Sequence, residues 1–206
     1  MSHPKRPALL PAPSRKQLTH ERIVDTAARA LRRGGFDGVG VADVMKQAGL
    51  THGGFYAHFP SREVLLAEAL ERAGDHSRSN LRNTIAAAGE QGRSPFAALV
   101  ESYLSERHLR SPEAGCPVAA LASEMPRQAG AVRDAAAVRV KSLIASVQET
   151  LPAAVAEGYA ATVAGQLVGS LQLARALGDN AQGRRHLAAA RRFLLEQFDS
   201  SQPARA

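Results

Sequence analysis

Apolar side chains recur three or four positions apart along most of the chain, and no run of six residues alternates convincingly between apolar and polar. That period predicts helices and no strands. Ile23, Ala27 and Leu31 form the first stripe, which Gly34-Gly35 should end. Thr19 is the predicted cap of this helix, with Glu21 in its first turn and Leu18 stapled against Ile23. A second helix is predicted from about Val41 to Ala48, with Val41, Val44 and Ala48 inward and Gly49 in a left-handed turn. Thr51 should cap a third, from about His52 to Phe59, which Pro60 ends. Ser61 should cap a fourth, with Glu63 in its first turn, reaching about Ala88. After a linker from Gly89 to Pro95, helices are predicted near 96–109, 113–124, 127–150, 153–177 and 182–198. Prolines at 112, 117, 126 and 152 mark breaks among them. No internal repeat is visible.

Composition agrees with an all-α class: Ala, Leu, Arg and Glu are abundant and β-branched runs are few. No apolar stretch approaches the roughly 18 uncharged residues of a membrane helix. The first 17 residues hold four prolines and four Lys/Arg without an apolar core, which predicts a disordered basic arm and not a secretion signal. Residues 201–206 read as a loose tail. One cysteine fits a reducing cytoplasm. Charge is uneven: residues 1–62 carry ten Lys/Arg and four Asp/Glu, or +6, while 63–206 carry sixteen and fifteen, or +1. A positive excess confined to one end points to a polyanion partner there, nucleic acid above all.

The stretch GLTHGGFYAHFPSR, residues 49–62, gathers three of the chain's nine Phe and Tyr within five positions. A short helix, a glycine turn and a second short helix make a helix-turn-helix, whose second helix enters the major groove. Phe55 and Phe59 should face back onto Val44, Ala48 and Leu31. Thr51, His52, Gly53, Gly54 and Ala57 then look towards DNA. The glycines permit close backbone approach, and Thr51 and His52 offer hydrogen bonds to phosphates or base edges. Tyr56 and His58 flank the helix as phosphate donors, although His58 also reads as a packing histidine. Arg62, opening the next helix, adds its charge to a positive helix end.

From Gly35 to Leu66 the chain resembles the DNA-binding domain of the tetracycline-repressor (TetR) family. The resemblance rests on Gly35-Phe36, Ala48-Gly49, Tyr56, His58-Phe59 and Ser61-Arg62. It implies a homodimeric all-helical repressor: a DNA-binding domain over 18–66, and a larger helical domain over 67–200 that binds a small effector and dimerises. Two departures stand out. Gly40 occupies the position of a threonine that caps the second helix and touches phosphate, and Gly54 that of a Thr or Ser contact, so readout leans on backbone approach and DNA shape. Arg62 replaces a lysine and keeps the charge.

The resemblance also assigns the last two helices to dimerisation. Ala161, Gly165 and Gly169 recur every four residues as a small-residue stripe, and Phe193, Leu194 and Gln197 are candidates to complete it; packing within one chain is the alternative. Tyr103, His108, Met125 and Gln166 are candidate linings of an effector pocket. Cys116 lies in a Gly-Cys-Pro turn ahead of an apolar helix whose dipole would favour its thiolate. This segment resembles a branch of the family responding to N-ethylmaleimide; a buried, inert thiol is the alternative. A thiol-dependent helical enzyme using Cys116 with His108 is a rival class, but no nucleophile constellation, phosphate loop or metal spacing supports it. No cofactor or metal is expected. A non-specific DNA-binding protein is the third reading.

Overall fold

The structure, a computed structural model, describes residues 13–199. Of the predicted arm and tail, residues 1–12 and 200–206 lie outside these. Among the described residues there are nine α-helices and no strand. None of the described helices is long and apolar enough to cross a membrane.

Helix α1 (Arg15–Gly34) begins four residues before the predicted Thr19 cap. Ser14 is its N-cap, accepting from the Gln17 amide at 3.2 Å, while Thr19 Oγ1 donates to the Arg15 carbonyl from inside the helix. Leu18 is thereby carried to an exposed position and staples nothing. The helix ends as predicted, at Gly35 with φ 74°. Helix α2 (Val41–Gln47) buries Val44 and Met45, with Gly40 at its N-cap supplying no side-chain bond. The turn that follows, His52–Ala57, is a 3₁₀ helix and not the predicted α-helix. Helix α3 (Arg62–Gly89) is capped by Ser61 as expected. At 28 residues it runs through the predicted boundary at residue 66, so one element belongs to both halves of the chain.

The predicted helix over 96–109 is two: α4 (Pro95–Tyr103) and α5 (Glu106–Arg110). The break is at Ser105, which caps α5 by accepting from the His108 amide at 3.1 Å. The predicted 113–124 helix shrinks to α6 (Pro117–Leu121), five residues between 3₁₀ turns at Pro112–Ala114 and Met125–Arg127. Then follow α7 (Gly130–Thr150), α8 (Ala153–Leu177) and α9 (Ala181–Phe198).

Helix α3 is the spine. It packs against α1 on one side and against α4 and α7 on the other, with α8 on α7 and α9 on α8. Buried side chains from Ile23 to Leu194 form one continuous cluster, so the N-terminal helices and the rest of the molecule share a core.

Candidate nucleic-acid interface

Two rings seat the turn at 51–57. Phe55 and Phe59 are buried, 5.5 Å apart between centroids, and Phe59 stacks at 4.4 Å on His20 of α1. His20 is held in turn by Glu68 of α3, 2.6 Å from its Nε2. With the apolar pair inward, Thr51, His52, Gly53 and Ala57 are exposed and Tyr56 is 72 % exposed, as the sequence predicts. The backbone closes by Gly54 N–H donating to the Thr51 carbonyl (3.1 Å) and His58 N–H to that of Phe55 (2.9 Å). Thr51 stands at the N-cap but its hydroxyl makes no capping bond, contrary to the predicted role, and it faces outward. A Cβ at Gly53 would meet nothing within 4 Å, and one at Gly54 only ordinary contacts with Met45 and Thr51. Packing within this chain therefore gives no reason for either glycine.

Two predicted phosphate ligands sit otherwise than expected. The Arg62 guanidinium folds back onto the α1–α2 loop, donating from Nε to the Val39 carbonyl (3.1 Å) and from Nη2 to that of Phe36 (2.5 Å). Both carbonyls lie in the loop after α1, where Phe36 O otherwise accepts only a long bond from the Val39 amide (3.5 Å), so the cation is drawn to them. Its first task is holding the loop. His58 is half-buried; its Nδ1 is buried with no hydrogen-bond partner, and its ring lies 6.1 Å from that of His20. Burial, then His20 and Lys16, lower its pKa, so it packs as a neutral ring.

A second site lies in the larger half. Helices α3 and α7, with the segment from α4 to α6, enclose a cavity of about 360 Å³ lined by Tyr103, His108 and Cys116 among others. Three of the predicted effector residues thus meet. Met125 and Gln166 do not reach it: Met125 is buried in the core and Gln166 sits half-buried on α8. Cys116 is buried. The predicted dipole effect on its thiol has little helix behind it, since α6 has five residues.

His108 locks this turn. Its Nδ1 lies 2.7 Å from the Tyr103 carbonyl, and its Nε2 accepts from the Cys116 amide at 3.0 Å. A carbonyl at one nitrogen and an N–H at the other select the neutral Nδ1–H tautomer. A Cβ at Gly115 would overlap the ring, so glycine is required there. With Nε2 taken by a backbone amide, His108 is no base for the thiol, and the Cys–His enzyme arrangement is not formed. Burial lowers its pKa to about 4. The unfolded chain takes up this proton near pH 6.5 and the folded chain does not, so stability is lost as pH falls from about 6.5 towards 4, by about 3 kcal/mol in all. His108→Gln is expected to flatten the difference between urea unfolding at pH 7 and at pH 4.5. A variant that loses stability over this range as steeply as wild type would remove His108 from the account.

Two contacts tie α1 and the loop after it to residues 115–124, and the sequence reading missed both; of these, only the first reaches the cavity lining. Arg32 of α1, buried, donates from Nε to Ala28 O (3.1 Å) and from Nη1 to Gly115 O (3.1 Å) and Ala73 O (3.5 Å). Glu124, beyond α6, accepts from the Phe36 amide at 2.9 Å. Arg32 sits at i+4 from Ala28 and one after Leu31 on the buried stripe of α1, the signal that would have found it. Among the described residues no group of three or more His, Cys, Asp or Glu is placed to hold a metal.

At the other face, Ala161 and Gly165 of α8 are exposed and Gly169 half-buried, and added Cβ atoms at both glycines would be in open space. Leu173 (58 % exposed) and Leu177 continue the same four-residue spacing. On α9, Phe193 and Gln197 are exposed, but Leu194 is fully buried in this chain's own core and drops out of the predicted interface. Phe193 and Leu194 point roughly 100° apart around the helix, so only one of them turns inward.

Residues 23–69 match the family of bacterial regulatory proteins, tetR family, and residues 92–194 a tetracyclin repressor-like C-terminal domain. An HTH-type transcriptional regulator of Mycobacterium tuberculosis is 31 % identical over 170 residues, covering 77 % of this chain and 85 % of that protein. The HTH-type transcriptional regulator LmrA of Bacillus subtilis is 26 % identical over 134 residues, 65 % and 71 % of the two chains. Among solved structures, a TetR-family transcriptional regulator from Agrobacterium tumefaciens superposes with TM-score 0.71 at 22 % identity, over 89 % of this chain and 98 % of that one. The reduced form of NemR from Escherichia coli gives 0.68 at 19 %, over 91 % and 99 %. At these identities the likeness speaks for the fold.

Proposed function

Because the chain belongs to the bacterial tetR family of regulatory proteins, we infer that this DNA-binding transcriptional regulator is a repressor released from a palindromic operator by a small-molecule effector. The observation that carries the reading is the hydrogen bond from Arg32 to the Gly115 carbonyl, which ties the DNA-reading end to the wall of a ligand-sized cavity. A ligand that displaces the Tyr103–His108–Cys116 turn moves Gly115, and with it α1, on which the reading turn is stacked through His20. A cytoplasmic location goes with this activity.

Each protomer brings one reading turn, too small an interface for operator-level affinity alone, so two are needed. The open glycines on α8, with Leu173, Leu177 and Phe193, support a homodimer through α8 and α9. Its two reading turns should stand about 34–36 Å apart, one turn of the duplex. Thr51 and His52 are assigned to base edges and Tyr56 to phosphate; the electrostatic share of binding comes from the basic end as a whole.

Gly53→Ala tests whether residues 51–57 meet DNA. The free protein has room for the methyl group at a helical φ, so its stability should hold or rise by about 0.4–1 kcal/mol. Operator affinity should fall at least tenfold, because the methyl group stands where backbone approaches the groove. Thermal melting with a DNA titration reads both; affinity unchanged at full stability would move the interface elsewhere.

A second reading is favoured by one observation: Cys116 lines the cavity. N-ethylmaleimide reaching it would accept the thiolate sulfur on one carbon of its ring double bond, the π bond breaking and the other carbon taking a proton, and the adduct would fill the site. Wild type treated with N-ethylmaleimide should then release operator while Cys116→Ser keeps it. Equal behaviour of the two proteins would leave a reversible ligand as the effector.

A further inference from the structure

Tyr103 and Arg139 line the cavity, and each carries a donor buried without an oxygen or nitrogen partner. The Tyr103 hydroxyl is buried on a side chain only 7 % exposed, with the Cys116 thiol beside it and no oxygen or nitrogen partner. Arg139 of α7 is 8 % exposed and its Nε is likewise buried and unpartnered. Its guanidinium crosses α3 where Gly74 makes room, since a Cβ there would overlap it. Its bonds are long: 3.5 Å to the Glu71 carbonyl and 3.3 Å to Asp75, a carboxylate shared with Arg78. Arg78 and Arg107 also line the cavity, and no Asp or Glu does. The acids these arginines meet stand outside the lining, at Asp75, and Glu113 acts on Arg175 behind the Cys116 turn.

A wall with three arginines, a buried hydroxyl beside a thiol and no carboxylate asks for an acceptor that carries negative charge. Burial raises the Tyr103 pKa well above its usual value, so that group remains a donor. The rest of the wall is mixed, with serines and asparagines beside one apolar strip that suits an alkyl chain. Leu81, Leu143, Pro117 and Val118 line the cavity, and a groove of about 510 Å³ continues from it between α3 and α7 past Ile85, Ala145 and Pro95, with Arg82 and Glu149 also on its lining. Arg78, Leu81, Ser142 and Ser146 border both spaces.

We propose that the cavity binds a medium-chain carboxylic acid as its anion, the carboxylate accepting from Arg139 and Tyr103 and the alkyl tail lying along the α3–α7 groove. This deepens the effector reading above and rests on it only for the consequence at DNA. The carboxylate replaces the two weak partners of Arg139 with a close ion pair in a place shielded from water, where such pairs discriminate strongly against uncharged analogues.

The test uses the full chain and straight-chain carboxylates from octanoate to dodecanoate, each beside the matching primary alcohol. Calorimetric titration and thermal shift read binding, and a labelled operator duplex reads release. The acids should bind at least tenfold more tightly than the alcohols. Tyr103→Phe and Arg139→Gln should each lose fivefold or more for the acids and little for the alcohols. Tyr103→Phe should melt close to wild type without ligand, because it removes a buried hydroxyl whose neighbour is a thiol, a weak partner; that separates a lost ligand contact from a damaged fold. The proposal is overturned if no acid binds, if alcohols bind as well as acids, or if both variants bind the acids like wild type. Release of operator by an alcohol alone overturns the ligand class but keeps the effector reading. Charge-dependent binding with no change at the operator upholds the ligand class and sinks the effector reading.

Discussion

Phe59→Ala is expected to lower the melting temperature by roughly 10 °C and to remove most of the protein's affinity for DNA. The ring is fully buried, packed between Phe55 and His20 at the junction of α1, the reading turn and α3. Truncating such a ring costs about 3–5 kcal/mol, a large part of the roughly 5–15 kcal/mol that holds a domain together. The loss at DNA should exceed what global unfolding accounts for. The turn is a single six-residue 3₁₀ element, and the two rings more than its backbone bonds decide where it sits. Phe59→Leu, which refills most of the volume, should recover most of both properties. Melting curves and a DNA titration at a temperature where all three proteins are folded distinguish the cases. An alanine variant that binds operator normally would mean the rings do not position the turn.

Arg32→Met should spare DNA binding and blunt its control. The thioether fills much of the same buried space, while the Gly115 and Ala73 carbonyls lose their donor, at a cost of about 1–3 kcal/mol in stability. Without effector, operator affinity should stay within about threefold of wild type, since Arg32 is buried behind α1 and faces no groove. With saturating effector, the 5–150-fold weakening usual for coupled sites should shrink to a few-fold at most. Glu124→Ala, which cuts the bond to the Phe36 amide, should remove part of the same coupling, and the double variant should show whether the two contacts act together. The measurement is operator affinity with and without effector for all four proteins. Full release by effector in Arg32→Met would show that the signal travels by another route.

How much of this was legible in the sequence varies with the range of the interactions. Local signals carried far: the bounds of α8, the stop at Gly35, the Ser61 cap and the inward pair Phe55 and Phe59 all follow from spacing and from single residues. Where two local signals competed, the wrong one could be chosen. Ser14 and Thr19 are both good caps, and the prolines before Ser14 argued against a helix beginning so early. The apolar run over 96–109 hid the Ser105 cap inside it. Proline could be read as a break but not as leaving a five-residue α6. Periodicity gives a face and not a depth, which is why Leu194 was grouped with Phe193, and why Met125 and Gln166 were offered for a cavity they do not line.

The contacts that join the two ends were out of reach for another reason. Arg32 meets Gly115, and Glu124 meets Phe36, across more than eighty residues of chain. No spacing rule links them. Arg139 was closer to hand: it falls on the inward stripe of α7 with Val132, Ala135, Ala136 and Val147, and a lone cation on such a stripe marks a buried charge that needs a reason. Arg62 shows the opposite case. Its charge at a helix start suggested phosphate, but two carbonyls of the α1–α2 loop take its donors first.

The central claim is that a dimer of this chain reads DNA sequence through residues 51–57. Selection of bound duplexes from a random pool, run in parallel with wild type and His52→Ala, tests it most directly. The wild-type pool should converge on an inverted repeat whose half-sites lie one helical turn apart or slightly more, and the variant pool should change preference at one symmetric pair of positions while keeping that spacing. A pool that stays random would make the protein a non-specific binder, and a consensus untouched by His52→Ala would contradict the assignment of His52 to the base edges.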